Sequence, residues 1–180
     1  MLRIFNKLKS VYRFNTVGDR KESTAEHSWG CLILADYFLS TTHYGIDKLK
    51  VYELLMYHDL VEIESGDFPL HLQKDSTTRE EKERLSLDIL KPQIPAPLDS
   101  KFINLYNEFE QKLTKEAKFA KAIDALEAEI HELDYKEDWK GYTKDFIVSK
   151  KMHLFEEFPQ MKQMYEKMIE YLDANGYFDN

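Results

Sequence analysis

Four side chains of this sequence could hold a divalent cation: His27, the adjacent pair His58-Asp59, and Asp124. Two imidazoles and two carboxylates form a mixed nitrogen and oxygen donor set, better suited to Mn, Co, Fe, Ni or Zn than to Mg or Ca. Such an ion can polarise a phosphoryl oxygen and supply hydroxide near neutral pH. Glu62 lies four residues after His58 and three after Asp59. On a helix its carboxylate therefore falls on the same side, one turn on. There it can hold or deprotonate a metal-bound water rather than bind the metal itself. The constellation points to a metal-dependent hydrolase.

Positioning these groups falls to helices. Leu2, Phe5, Leu8, Val11 and Tyr12 recur at helical spacing and predict a first helix that stops near Asn15. The stretch 17–22, with Gly18 and several charges, reads as a loop. Ser23 or Thr24 can cap a second helix that carries His27 and runs to about Thr42, with Glu26 in its first turn. A third helix over roughly 48–63 carries His58 and Asp59, which diverge by about 100° of rotation yet can both reach a metal beside it. Ser65-Gly66-Asp67-Phe68-Pro69 is a turn, and 70–77 looks irregular, a candidate lid over the site. Further helices are expected over about 80–90, 99–113, 115–137, 144–157 and 159–174, the fourth of all helices being separated from the next by Pro92, Pro95 and Pro97. Asp124 rides on the 115–137 helix. Gathering ligands from three helices is how helical folds build sites in their cores.

The whole chain bounds what such a site can serve. Its 180 residues suit one domain, 1–180, and 43% apolar residues argue against disorder. The alternating pattern of an α/β domain is absent, so the expected fold is an all-α, single-domain helical bundle. A net charge of −8 disfavours binding nucleic acid through a broad basic face. It leaves room for a small phosphorylated substrate, because a metal and a few basic residues can reverse the sign inside a pocket. The apolar window 31–39 is too short to span a bilayer, and the first fourteen residues lack a signal-peptide pattern, so no membrane role is expected. Cys31 is the only cysteine, which suits a reducing cytoplasm, and it reads as a small core residue rather than a nucleophile.

A lone helical histidine is ordinarily a surface residue or a satisfied core residue, and His43, His131 and His153 are read that way. Asp124 is different. It interrupts the apolar run Ala122-Ile123-Asp124-Ala125-Leu126, and a buried carboxylate needs a partner or a metal. Longer matches surround the four residues. Arg20-Lys21-Glu22-Ser23-Thr24-Ala25-Glu26-His27 fits R-x-E-S-x-x-[ED]-H. Tyr57-His58-Asp59-Leu60-Val61-Glu62 with Gly66-Asp67-Phe68-Pro69 fits HDxxE…GDxP, and 116–124 fits EAKxxKxxD. Together they resemble the HD-domain phosphohydrolase superfamily, in its 5'-deoxynucleotidase-like branch, over a motif core of about 13–138. The C-terminal helices, 144–175, add little to the resemblance.

The resemblance implies an HD-domain helical bundle with one catalytic divalent metal, held by His27, His58, Asp59 and Asp124. It implies hydrolysis of nucleoside 5'-monophosphates to nucleoside and phosphate. Glu62 would orient the attacking water, and Asp67 would assist near the metal or the sugar. Arg13 or Arg20 would hold phosphate, since a guanidinium fork matches phosphate oxygens; Lys121, one turn before Asp124, could face it too. Some members carry Arg-Trp where this chain has Arg13-Phe14. The smaller Phe14 ring beside the sugar leaves ribose against deoxyribose open, and base preference is not legible. The resemblance also suggests a homodimer, with which Phe155, Phe158, Tyr165 and Tyr171 are as compatible as with a core.

Other branches fit less well. Alarmone hydrolases carry HDxxED, whereas Ile63 follows Glu62 here, and two-metal phosphodiesterases need more histidines between the pair and the last Asp than His71 alone. Two readings compete with the nucleotidase: a phosphohydrolase acting on a different phosphate ester, and a non-catalytic helical module whose metal is structural.

Overall fold

The computed structural model describes residues 2–68 and 76–179. A 3₁₀ segment, Leu2–Ser10, leads into a two-stranded antiparallel hairpin, β1 (Tyr12–Val17) and β2 (Arg20–Ser23). Among the described residues eight α-helices follow: α1 (Thr24–Thr41), α2 (Lys48–Tyr57), α3 (Glu62–Ser65), α4 (Ser76–Leu90), α5 (Leu98–Gln111), α6 (Lys115–His131), α7 (Lys144–Lys151) and α8 (Pro159–Ala174). The fold is all-α apart from the hairpin.

The hairpin corrects two expectations. The predicted first helix ends at Ser10, and the stretch expected to be a loop is mostly β2 with its turn. Gly18, at φ 59, supplies the left-handed conformation that a two-residue hairpin turn demands. Tyr12 pairs with Ser23 and Thr16 with Lys21, so Arg13, Phe14 and Asn15 together oppose Glu22 alone. Such a bulge breaks the ladder and re-aims side chains.

Capping defines the site-bearing helices. Ser23 accepts from the Glu26 backbone N–H while its own N–H donates to the Glu26 carboxylate, closing a capping box at the start of α1. Thr114 caps α6 by accepting from Ala117 N. The expected 48–63 helix is broken: α2 ends at Tyr57, and His58 to Val61 form tight turns with i to i+3 bonds from Leu60 to Tyr57 and from Glu62 to Asp59. His58 Nδ1 takes the Leu55 carbonyl at 2.8 Å. That oxygen is the one the Asp59 N–H would use in a continuing α-helix.

Helix α6 is the axis of the molecule and packs against α1, α2, α5 and α8. Ala117, Ala120 and Ala122 let the neighbours approach closely, while Phe119, Ile123 and Leu126 fill the core. Phe155, Phe158 and Tyr165 are also fully buried there, so only Tyr171 of the late aromatics remains exposed. The expected 70–77 lid, with His71, lies largely outside the described residues, although Ser76 and Thr77 already belong to α4. Among the described residues, no helix is long and apolar enough to cross a membrane.

Candidate metal centre and cleft

Three elements converge on one buried point. His27 comes from the first turn of α1, His58 and Asp59 from the turns after α2, and Asp124 from the middle of α6. His27 Nε2 lies 3.1 Å from Asp124 Oδ1 and 3.9 Å from Asp59 Oδ2. His58 Nε2 lies 3.0 Å from Asp59 Oδ2 and 3.9 Å from Asp124 Oδ1. The four residues thus face a common centre, with both histidines almost fully buried.

Both imidazoles commit the same nitrogen elsewhere. His58 Nδ1 donates to the Leu55 carbonyl, and His27 Nδ1 donates to Glu127 Oε2 at 2.5 Å. A ring held by its outer N–H presents its other nitrogen as a lone pair, the arrangement found behind metal-bound histidines. His58 Nε2 and Asp59 Oδ2 are buried without a hydrogen-bond partner. Orphaned acceptors facing each other in a dry site are costly unless a cation fills the gap. The residues present therefore fit a divalent ion.

The field agrees. Burial opposes a charged Asp124, yet the hydrogen bond from His27 and the charges of Lys121 and His58 hold its carboxyl well below the usual range. Burial and Arg13 oppose a proton on His27, but Cys31 and Asp124 raise its pKa well above the ordinary value. A pocket that pulls a proton onto a buried imidazole is one that attracts cations. Cys31 Sγ sits 3.5 Å from His27 Nε2, and burial pushes its thiol up to about 12, in keeping with a core residue.

Sequence reasoning missed Glu127, whose only signal was a second acidic residue three positions after Asp124 in an apolar helix. Gly30 is its counterpart: a Cβ there would stand 2.1 Å from Glu127 Oε1. Any larger residue at position 30 would push that carboxylate out of its present position against His27.

Beside the centre, burial and the carboxylates of Asp59 and Asp67 raise the Glu62 pKa well above the ordinary value, against the pull of Arg13 and a 2.9 Å hydrogen bond from Thr24 Oγ1. Arg13 NH1 is 3.8 Å from Asp59 and 3.9 Å from Asp67, while its Nε is 3.3 Å from Glu22. Lys121 Nζ stands 3.6 Å from Asp124 Oδ2 and 3.0 Å from Glu110. Arg20 is corrected: its half-exposed guanidinium forks onto Glu26 at the surface and does not line the cleft.

The cleft over the centre encloses about 320 Å³, within the range of small-molecule sites. Arg13, Phe14, Asp59, Glu62, Asp67 and Lys121 line its metal end. Its other end is walled by Asn15, Glu129 and Glu132, and by Tyr142, Ile147, Lys151 and Leu154. The C-terminal region, which adds little to the motif resemblance, thus supplies a wall of the cleft. His153 also reaches it, whereas His131 is a satisfied residue donating to the Thr16 carbonyl at 2.7 Å.

A family profile described as the HD domain matches residues 5–164. The chain is 28% identical over 156 residues to 5'-deoxynucleotidase HDDC2 of Xenopus laevis, covering 82% of this chain and 75% of that protein. With its Bos taurus namesake the identity is 29%, over 82% and 73% of the two chains. Among solved structures, a predicted metal-dependent phosphohydrolase from Magnetospirillum magnetotacticum superposes with TM-score 0.87 at 26% identity, covering 99% of this chain and 92% of that one.

Proposed function

The chain belongs to the HD domain family, and from that premise we propose that this metal-dependent phosphohydrolase cleaves nucleoside 5'-monophosphates, deoxynucleotides included, to nucleoside and phosphate. The observation that carries the reading is the pair of orphaned acceptors, His58 Nε2 and Asp59 Oδ2, beneath a cleft edged by Arg13 and Lys121. His27, His58, Asp59 and Asp124 would hold one ion of the Mn, Co, Fe, Ni or Zn type. When bound, it would polarise a phosphoryl oxygen and acidify water.

The chain's own residues do the rest. Arg13 offers its fork to the phosphoryl oxygens, held in place by Glu22, Asp59 and Asp67. Lys121 adds a second positive charge, and Phe14 lies against the sugar. Glu62 takes a proton from the attacking water as its oxygen bonds phosphorus, and burial beside Asp59 and Asp67, which raises its pKa above that of an ordinary glutamate, makes it the stronger base. The bond between phosphorus and the 5'-oxygen breaks, and the leaving oxygen takes up a proton. The relatives named 5'-deoxynucleotidase support this substrate class.

A homodimer is part of the same proposal. Its support is a stripe on the outer face of α1, where Trp29, Ile33 and Tyr37 recur every four residues and are each more than half exposed. Residues 1–180 would act as one domain, and the single cysteine suits a cytoplasmic setting.

The test is phosphate release from ribo- and deoxyribonucleoside 5'- and 3'-monophosphates by metal-stripped protein resupplied with Mn, Co, Zn or Mg. Metal-dependent release from 5'-esters alone is expected. Release only from other phosphate esters, or none with a metal bound, would overturn the reading.

A further inference from the structure

Helix α6 runs along the cleft like a ruler. Asp124 at the metal end and Glu132 at the far end are eight residues apart, about 12 Å along the axis. That distance matches the reach of a nucleotide from its phosphate to the edge of its base. Between them Ala125 and Ala128 line the cleft with small side chains, leaving a flat wall for a sugar and a ring.

The far end is polar and buried in a way packing does not require. Glu129 is 2% exposed; one carboxylate oxygen pairs with Lys151, and the other, Oε2, has no hydrogen-bond partner. Asn15 Nδ2 donates to Glu132 Oε1 at 2.9 Å, which leaves the other Glu132 oxygen and the Asn15 carbonyl for other partners. A buried acceptor left without a donor is destabilising. An amino group on a bound ligand would relieve it.

The geometry points to Asn15, Glu129 and Glu132 as a base-recognition subsite that selects nucleobases bearing an exocyclic amino group. Cytosine and uracil make the sharpest comparison, because an amine in one is replaced by a carbonyl oxygen in the other. The amine donates to Glu129 Oε2, whereas the carbonyl sets oxygen against oxygen. Glu132, whose pKa burial and the neighbouring Glu129 raise to about 8, remains a neutral acid able to donate to a ring nitrogen. A site built around a specific hydrogen bond rejects the analogue that cannot make it far more strongly than an apolar pocket does.

This selectivity rests on the nucleotidase reading, so its test is separate from turnover. Titration calorimetry on manganese-loaded protein carrying Glu62→Gln compares deoxycytidine and deoxyuridine 5'-monophosphates. The cytosine nucleotide is expected to bind roughly tenfold tighter or more. Adding Glu129→Gln should bring the ratio towards one or invert it, with metal content and melting temperature serving as folding controls. If Glu129→Gln fails to fold, Glu132→Gln reads the same ratio. Equal affinities, a ratio that survives the substitution, or no binding of either nucleotide would overturn the subsite. Discriminating binding by a protein whose wild type releases no phosphate would retire the reaction and keep the subsite.

Discussion

His27 is fixed from behind by Glu127, and His58 by the Leu55 carbonyl. These two bonds choose the tautomers that leave both Nε2 atoms for a metal. Glu127→Gln should therefore weaken metal binding by about 10–100-fold, measured by competition with a chelator; wild-type affinity would remove Glu127 from the metal site. Glu62 contributes differently, since it touches none of the four proposed ligands through a hydrogen bond and is held instead by Thr24. Glu62→Gln should retain the metal while kcat falls by about 10²–10⁴-fold. A variant that turns over normally would end the assignment of Glu62 as the base.

At the scale of elements, α6 combines roles that usually conflict. Most of its core-facing side is buried, yet it carries Asp124, Glu127 and Glu129 along its length, with Glu132 just past its C-terminal end. Alanines make this possible: Ala117, Ala120 and Ala122 are fully buried where neighbouring helices pack, and Ala125 and Ala128 keep the cleft side open between the carboxylates. Burial has a consequence for Glu132. The folded protein keeps its proton up to about pH 8, whereas an ordinary glutamate releases it near 4.5. Its contribution to stability is then complete below pH 4.5 and lost as pH rises through 8. Glu132→Gln should flatten the fall in urea midpoint across that window; a profile as steep as the wild type's would mean that the fall comes from other groups. The bulged hairpin is the other decisive element, since it alone brings Arg13, Phe14 and Asn15 into the cleft.

For the whole molecule, the acidic surface and the cleft oppose each other in sign only locally. The net charge is −8, but Arg13, Lys121, Lys150 and Lys151 all line the cleft. The exposed α1 stripe is a feature of the outer surface rather than of the cleft. Ile33→Glu should weaken the proposed dimer by roughly 30-fold or more, read by sedimentation equilibrium. An unchanged association constant would place the dimer on another face, and a monomeric wild type would remove it.

The class of fold and the candidate side chains of the site could be read from the residues alone. His27, His58, Asp59, Asp124 and Glu62 were legible because metal chemistry needs those side-chain types, and helical periodicity is a local property read within one or two turns. A cap at Ser23 or Thr24 was legible for the same reason, while the reciprocal bond to Glu26 that closes the box at Ser23 came from the structure. Tertiary structure decided the rest. The apolar spacing of Leu2 to Tyr12 fits a helix, yet a bulged hairpin pairs residues across a turn whose partners no local pattern names. Helix α2 ends at Tyr57 because an imidazole takes a backbone carbonyl, a competition that spacing does not reveal. Arg13 and Arg20 look equivalent in sequence; packing buries one over the metal centre and leaves the other on Glu26 at the surface. Glu127 against Gly30, and the C-terminal wall of the cleft, depend on which helices meet, and that is settled only when the core closes.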